Sequence, residues 1–531
     1  MKKFCALAGI LALAGLGVLL VEGCKPKGSS VKMSSSGIQS AQATSFKEVT
    51  SKLDPGGNLY VYLSTEQWLT NLSDKINSFH EAIASLPKVQ DQKQQIDDAF
   101  TIGTGLIKDS GLEDISGIGM SSIEREPGVY YNKLIVHHYA GQGNGFLWTM
   151  FGKEPHELRE LDLLPANTAM AAFYDVDAAQ VWSVIQKAFD QSSFPQAKAF
   201  LQNFPRQFEK GAGMKWEDVL NSLDGGVGTI ITLDDSKMVT IPLPTREPLE
   251  IPEPAFVLVV KVKNDAIFNR IDDSLKKSHQ RGLISVNESG LKMRTMPVPL
   301  PLPITLRPSV ATGGGYLFFA SSDAAIRAAL AVKNGKASGL KSTDEFKKLS
   351  ADMPQQGNQF CFMSRRFGQA IAKIQQQSLM ANNQMPAQLK GLVQSFLQPG
   401  KAGFTYAVGA NTDEGWMMVA NGSKSGGSVL AASTFLPALA AGIALPAMAK
   451  SRETAQRNAC INNLRMIDGA KNQWAMEKGK TSGDVPSWED LQPYLGRGRG
   501  MIRCPKGGTY TLGAVGQPPT CTVPGHALPL N

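Results

Sequence analysis

Residues able to ligate a metal, cross-link or catalyse are sparse in this chain: six cysteines and six histidines among 531 residues. Near the C-terminus, Cys504, Cys521 and His526 could supply three ligands to a metal such as zinc, which takes thiolate and imidazole. Their spacing is irregular and no fourth ligand is evident. The simpler expectation is a disulfide between Cys504 and Cys521, closing a turn-rich loop with little core of its own. No metal and no cofactor is expected. Cys361 stands in an apolar run, Phe360-Cys361-Phe362-Met363, and reads as a buried small hydrophobe. Cys460 reads as a helix-packing residue.

Other chemical signatures dissolve on inspection. His137 and His138 are adjacent on an expected strand, so their side chains point to opposite faces and make a poor metal pair. Gly141-Gln142-Gly143-Asn144-Gly145 lacks the following helix and lysine that a phosphate loop needs, and reads as a hairpin turn. Ser274-Leu275-Lys276-Lys277 matches a Ser-x-x-Lys pattern at a helix end with no companion motif. No catalytic residue is therefore assigned and the chain reads as a non-enzyme.

The elements around these residues follow a recurring plan: a Pro- or Gly-rich turn, a short apolar strand, then an amphipathic helix. Four copies begin at LYVYL (from Leu59), TAMAAFY (from Thr168), AFVLVVKV (from Ala255) and QFCFMS (from Gln359). Trp68, Leu69, Leu72 and Ile76 show the helical spacing, and Asp177 and Asn264-Asp265 are candidate N-caps. Hairpins are expected at Val129–His138 with Gly145–Phe151, at Gly228–Leu233 with Met238–Pro242 around Asp234-Asp235-Ser236, and at Phe404–Ala410 with Gly415–Ala420. The fold class expected is α+β: a duplicated antiparallel sheet with helices on one face, then a long helix and a small turn-rich tail. Prolines 242, 244, 248, 252 and 254 mark the expected break between halves 46–250 and 251–425. A second proline cluster, Met296 to Pro308, reads as an extended edge or loop. This layout resembles uncharacterised bacterial envelope proteins grouped as a domain of unknown function.

Composition, 42% hydrophobic and 19% charged, is that of a globular protein. The net charge of +8 comes without basic blocks interleaved with aromatics, so it fits an anionic envelope surface and not nucleic acid. Residues 1–23 carry a basic start and an apolar run and read as a signal peptide. The run ends in Val21-Glu22-Gly23-Cys24, which resembles a bacterial lipoprotein signal; that resemblance implies lipidation of Cys24. Residues 24–45, rich in Ser, Gly and Lys, read as a flexible tether.

A second apolar run, Val429 to Ala449, is just long enough to span a bilayer and reads equally as a packed Ala-rich helix; it passes without a break into charged, amphipathic sequence as far as Lys480. The residues LPAMAKSRETAQRNACINNLRMIDGAKNQWA, then Trp488-Glu489-Asp490-Leu491 and CPKGGTYTLGAVGQPPTC, resemble type II secretion pseudopilin-like proteins over roughly residues 435–531. The resemblance makes 426–480 a pilin-like helix and 481–531 a small C-terminal tail domain. The chain departs from that pattern: the stem lies far from the N-terminus, Gly426-Gly427-Ser428-Val429 replaces the peptidase motif, and no acidic residue lies in Ser428–Ala449. Some pseudopilins bind calcium near this region; Asp484, Glu489 and Asp490 read instead as a solvated helix start.

The expected function is a non-enzymatic, exported, membrane-anchored envelope protein on the periplasmic face. Its expected partners are the membrane and secretion- or pilus-type apparatus proteins, with no nucleic acid. One rival is an envelope carrier for a lipid or other apolar ligand; the other is an envelope hydrolase whose site assembles from distant residues.

Overall fold

The computed structural model describes residues 44–84, 93–190, 195–241, 249–278, 282–288, 290–297, 306–381, 403–426, 456–495 and 502–528. Cys24, the tether and the apolar runs at 4–21 and 429–449 lie outside the described residues. The chain divides into two compact units, Met1–Leu430 and Ala431–Asn531.

The first unit is mixed α+β, built on a 13-stranded sheet in which every paired strand is antiparallel. Its first strands are β1 (Leu59–Ser64), β2 (Gly117–Glu126) and β3 (Val129–His137); β4 (His156–Glu157) stands apart, pairing with β12 (Gln356–Gly357). The middle strands are β5 (Thr168–Asp175), β6 (Leu223–Ile241) and β7 (Leu249–Val262). Then come β8 (Ile284–Glu288), β9 (Leu291–Thr295), β10 (Ser309–Gly313) and β11 (Tyr316–Ala320), followed by β13 (Gln359–Met363), β14 (Thr405–Thr412) and β15 (Gly415–Gly422). The spatial order is β1-β2-β3-β15-β14-β13-β5-β6-β7-β11-β10-β9-β8.

Strand alternation builds the core. On β11, Phe318 is fully buried while Phe319 is 36% exposed, as the two-residue period of a pleated strand requires. Phe318 joins Val257, Val259, Phe173, Phe360 and Phe362 beneath Ile326 and Leu330 of the Asp323–Lys333 helix. Leu317, the neighbour that points the other way, packs with Val310 and Val260 against Phe268 and Ile271 of the Ala266–Lys277 helix. Helices therefore cover both faces of the sheet, where the sequence placed them on one. Period-2 strands such as VLVV are apolar at consecutive positions because each face has its own helix to meet.

All four expected strand–helix units form: β1, β5, β7 and β13 are each followed by helix. Position 250 falls inside β7, which pairs with β6 on one side and β11 on the other, so one sheet runs across it. The β14–β15 hairpin forms as expected, closing at Thr412 and Gly415. The other two hairpins do not. Residues 223–241 make one long strand, pairing with β7 on both sides of a register shift between Asp234 and Met238. Asp234 Oδ1 accepts from Ser236 N at 3.0 Å, so the expected local turn exists, but it bulges the strand instead of reversing it. Phe146–Thr149 is a short helix, because Trp148 buries its ring and donates Nε1–H to the Gly111 carbonyl at 2.8 Å. Gly143, at φ +80°, passes against the His138 ring where a Cβ would lie 2.3 Å from Nε2.

Among the described residues of this unit, Arg294 and Asp272 make a well-formed buried ion pair. Arg294 on β9 donates Nε to Asp272 Oδ1 and a terminal nitrogen to Oδ2, both at 2.7 Å. Its remaining nitrogen reaches the Val286 and Met293 carbonyls and Asn287 Oδ1.

The second unit contains a helix at residues 456–478, a capped turn at Trp488–Leu491, and a small ladder of β16 (Tyr510–Thr511) with β17 (Thr520–Cys521). Cys460, Leu464, Ile467, Lys471 and Trp474 recur at helical spacing, and each is at most 5% exposed. Lys471 is fully buried, with Nζ donating to the Leu512 carbonyl at 3.0 Å and to the Gln517 carbonyl. Asp490 closes a capping box with Ser487, and Asp484 Oδ2 accepts from Thr481 N at 2.9 Å, so both serve local structure. Among the described residues no helix is long and apolar enough to cross a membrane.

Candidate metal centre

The 456–478 helix and the turns around the β16–β17 ladder bring Cys460, Cys504, Cys521 and His526 together, with one ligand atom from each lying within 4.8 Å of all the others. Cys460 is fully buried, Cys504 is 4% exposed and His526 3%. His526 Nδ1 lies 3.7 Å from Cys504 Sγ. Leu464, Tyr510, Val523 and Leu528 pack around the group, so this small core is built largely of its own cysteines.

Local sequence explains each placement. Cys460 begins the buried seam of the helix. Cys504-Pro505-Lys506-Gly507-Gly508 is a tight turn, with Gly507 N–H donating to the Cys504 carbonyl at 2.9 Å and Gly507 at φ +79°. At Gly508 a Cβ would stand 2.9 Å from Cys521 Sγ, so only glycine lets the backbone pass. Cys521 ends β17 opposite Tyr510. His526 follows in a turn fixed by its own N–H on the Val523 carbonyl at 3.1 Å.

The surroundings supply hydrogen-bond donors to sulfur. Burial raises the Cys504 thiol, but the backbone N–H groups of Lys506 and Gly508 and the neighbouring thiols outweigh it and hold its pKa below the ordinary value. Val523 N–H points at Cys521 Sγ at 3.5 Å. Tyr510 Oη donates to Cys460 Sγ at 3.4 Å and is itself held by Asn463 Nδ2 at 3.1 Å. Burial, chiefly, pushes the Cys460 thiol up to about 12.

Cys504 and Cys521 are free thiols here. The fourth donor that the sequence did not reveal is Cys460. On an amphipathic helix a cysteine on the apolar face looks like any small hydrophobe, and only the fold brings it to the turns at 504 and 521. Cys361 lies mid-sheet on β13, between Ala172 and Ala407, and is partly rather than fully buried.

Two other clusters could do acid–base chemistry. Ser116 Oγ lies 2.6 Å from His137 Nδ1, and His137 Nε2 lies 3.8 Å from Glu48. Ser116 and His137 are 3% and 1% exposed, so a substrate cannot reach the hydroxyl. Burial holds His137 below its ordinary pKa. His138, also buried, stacks edge-on against Trp148 and makes no pair with His137. His156 Nε2 meets Asp175 Oδ2 at 2.8 Å, and Asn358 Nδ2 meets the same oxygen at 3.0 Å. Burial opposes charge on His156, but the Glu157 carbonyl and Asp175 outweigh it and raise its pKa. This pair borders an open groove of about 600 Å³ that holds no cysteine or serine beside the imidazole.

No family model matches the chain, no curated protein matches it and no solved structure matches its fold.

Proposed function

We propose that this chain is a non-enzymatic protein of the bacterial cell envelope, exported and held at the membrane. In this reading the sheet unit presents a binding surface, and the pseudopilin-like C-terminal unit docks onto a membrane or onto secretion- or pilus-type apparatus proteins. One observation carries it: in the C-terminal unit the reactive groups face inward. Cys460, Lys471, Cys504 and His526 are all buried, whereas Arg465 and Met476 on the same helix are exposed, Met476 by 78%. Chemistry serves the interior, and the unit offers solvent a contact surface of charges with a large apolar side chain.

The rivals draw less support. The hydrolase reading needs an accessible nucleophile beside a base, and Ser116 is sealed from solvent. The carrier reading needs an apolar chamber. Among the described residues, the half-open cleft that Phe173, Val259, Tyr316 and Phe360 line together with His156, Asp175 and Lys261 holds about 20 Å³, room for one water and not for an acyl chain.

Deleting residues 429–531 tests the proposal directly. The expected result is loss of membrane retention or of partner capture; if neither changes, the docking reading is wrong. Labelling intact cells with a membrane-impermeant thiol reagent, before and after lysis, tests which side of the membrane Cys504 and Cys521 occupy.

A further inference from the structure

We infer that Cys460, Cys504, Cys521 and His526 form a structural zinc site. A tetrahedral zinc ion bonds sulfur at about 2.3 Å and imidazole nitrogen at about 2.0–2.1 Å, which places its ligand atoms about 3.5–3.8 Å from one another. The Cys504 Sγ to His526 Nδ1 separation of 3.7 Å falls in that window, and the whole set lies within 4.8 Å. Three sulfurs and one imidazole are a donor set that zinc takes in closed, four-coordinate structural sites.

Simpler accounts leave groups unexplained. A disulfide needs two sulfurs at about 2.05 Å and uses only two of the three thiols. The third thiol and the His526 imidazole would remain buried beside that bond without taking part in it. A plain apolar core gains nothing from an imidazole 3% exposed and aimed at a sulfur.

The donors around the sulfurs form a second, independent line. Zinc binding displaces the three thiol protons and leaves the ion with three thiolates and a neutral imidazole, one net negative charge. Val523 N–H faces Cys521 Sγ at 3.5 Å and the Tyr510 hydroxyl faces Cys460 Sγ at 3.4 Å. Two of the three thiolates thus have a donor already in place, the outer-shell arrangement that fixes metal ligands. With all four positions filled by protein, the ion holds the fold and activates no water.

The site explains how so small a unit keeps its shape. Its apolar cores are modest: Ile467, Trp474, Ala475, Leu491 and Leu512 at one end of the helix, Leu464 and the cysteines at the other. A core of that size needs a staple, and a structural metal is one. The inference is separate from docking, since zinc is bound whether or not a partner is captured.

The test uses the full chain, solubilised in detergent and purified with a thiol reductant. One zinc per chain is expected from elemental analysis. After stripping with a chelator, Zn²⁺ is titrated back against a chromophoric competitor. Loss of an outer-shell partner weakens zinc binding about 10–100-fold, so Cys460→Ser and His526→Ala are expected to weaken it about 100-fold or more, and Cys361→Ser not at all. Because a ligand variant can also unfold the unit, cobalt(II) is added to the wild-type chain. The expected result is the visible spectrum of tetrahedral cobalt–thiolate, lost when zinc is added. Three results would each overturn the inference: wild-type affinity in Cys460→Ser, an octahedral cobalt spectrum with reduced thiols, or a Cys504–Cys521 disulfide in chains alkylated inside intact cells.

Discussion

Replacing Asp272 with alanine is expected to be among the most damaging single changes to the sheet unit. Arg294 is 4% exposed, and two of its nitrogens are satisfied only by the Asp272 carboxylate, at 2.7 Å each. Its third nitrogen keeps the carbonyls of Val286 and Met293, and Asn287, in the variant. The guanidinium would then stand buried beside Phe268 with its charge uncompensated, a situation that costs about 3–5 kcal/mol. With a urea m-value of about 3 kcal/mol/M, the unfolding midpoint falls by roughly 1–1.7 M. Removing both charges, as in Asp272→Leu with Arg294→Met, is expected to recover most of that loss, because a packed apolar pair avoids the desolvation of two ions. Urea unfolding of the full chain, followed by tryptophan fluorescence, measures all three proteins. A loss below about 1 kcal/mol in Asp272→Ala, or a double variant no better than the single, would refute the reasoning. Acid gives a second readout. Arg294, against the cost of burial, lowers the Asp272 pKa in the folded chain. A depressed carboxylate contributes stability that is full above the unfolded value of about 3.9 and is lost as pH falls through the lower folded value. In Asp272→Asn that loss below about pH 4 should therefore be shallower than in the wild type.

Two further predictions concern packing. Phe318→Ala should cost about 3–5 kcal/mol and Phe319→Ala, one residue on, well under half as much, because only the first side chain is sealed between sheet and helix; urea midpoints check the contrast. Lys471→Ala should orphan the Leu512 and Gln517 carbonyls and open a cavity in the C-terminal unit, at about 2–4 kcal/mol. Its readout is faster proteolysis within residues 456–528, with the sheet unit's fragments unchanged.

Much of the sheet unit was legible in sequence because its signals are local. The strands read from Leu59, Thr168, Ala255 and Gln359 are short apolar runs, the third lying inside the longer β7, and the helices after them keep a 3–4-residue spacing. Where tertiary pairing decides, local signals failed. Asp234-Asp235-Ser236 forms its turn, yet β7 is long enough to pair beyond it, and the strand continues past the bulge. Gly141–Gly145 looks like a hairpin turn, but burial of Trp148 draws the following residues into a helix. Layering was also hidden: consecutive apolar residues such as Leu317 and Phe318 reveal that both faces are covered only once each has found its helix.

The site was half legible. Cys504, Cys521 and His526 announce themselves by residue type within one turn-rich tail. Cys460 does not, because helical periodicity says which face a residue occupies and nothing about which distant turn that face meets. With three donors a disulfide is the economical reading. The fourth, 0% exposed and hydrogen-bonded by Tyr510, changes the chemistry.

X-ray absorption at the zinc edge, on the full chain purified under reducing conditions, tests the central claim most directly. The account predicts one zinc per chain with three sulfurs at about 2.3 Å and one nitrogen at about 2.0 Å. A shell of nitrogen and oxygen only, or reduced chains that hold no zinc, would contradict it.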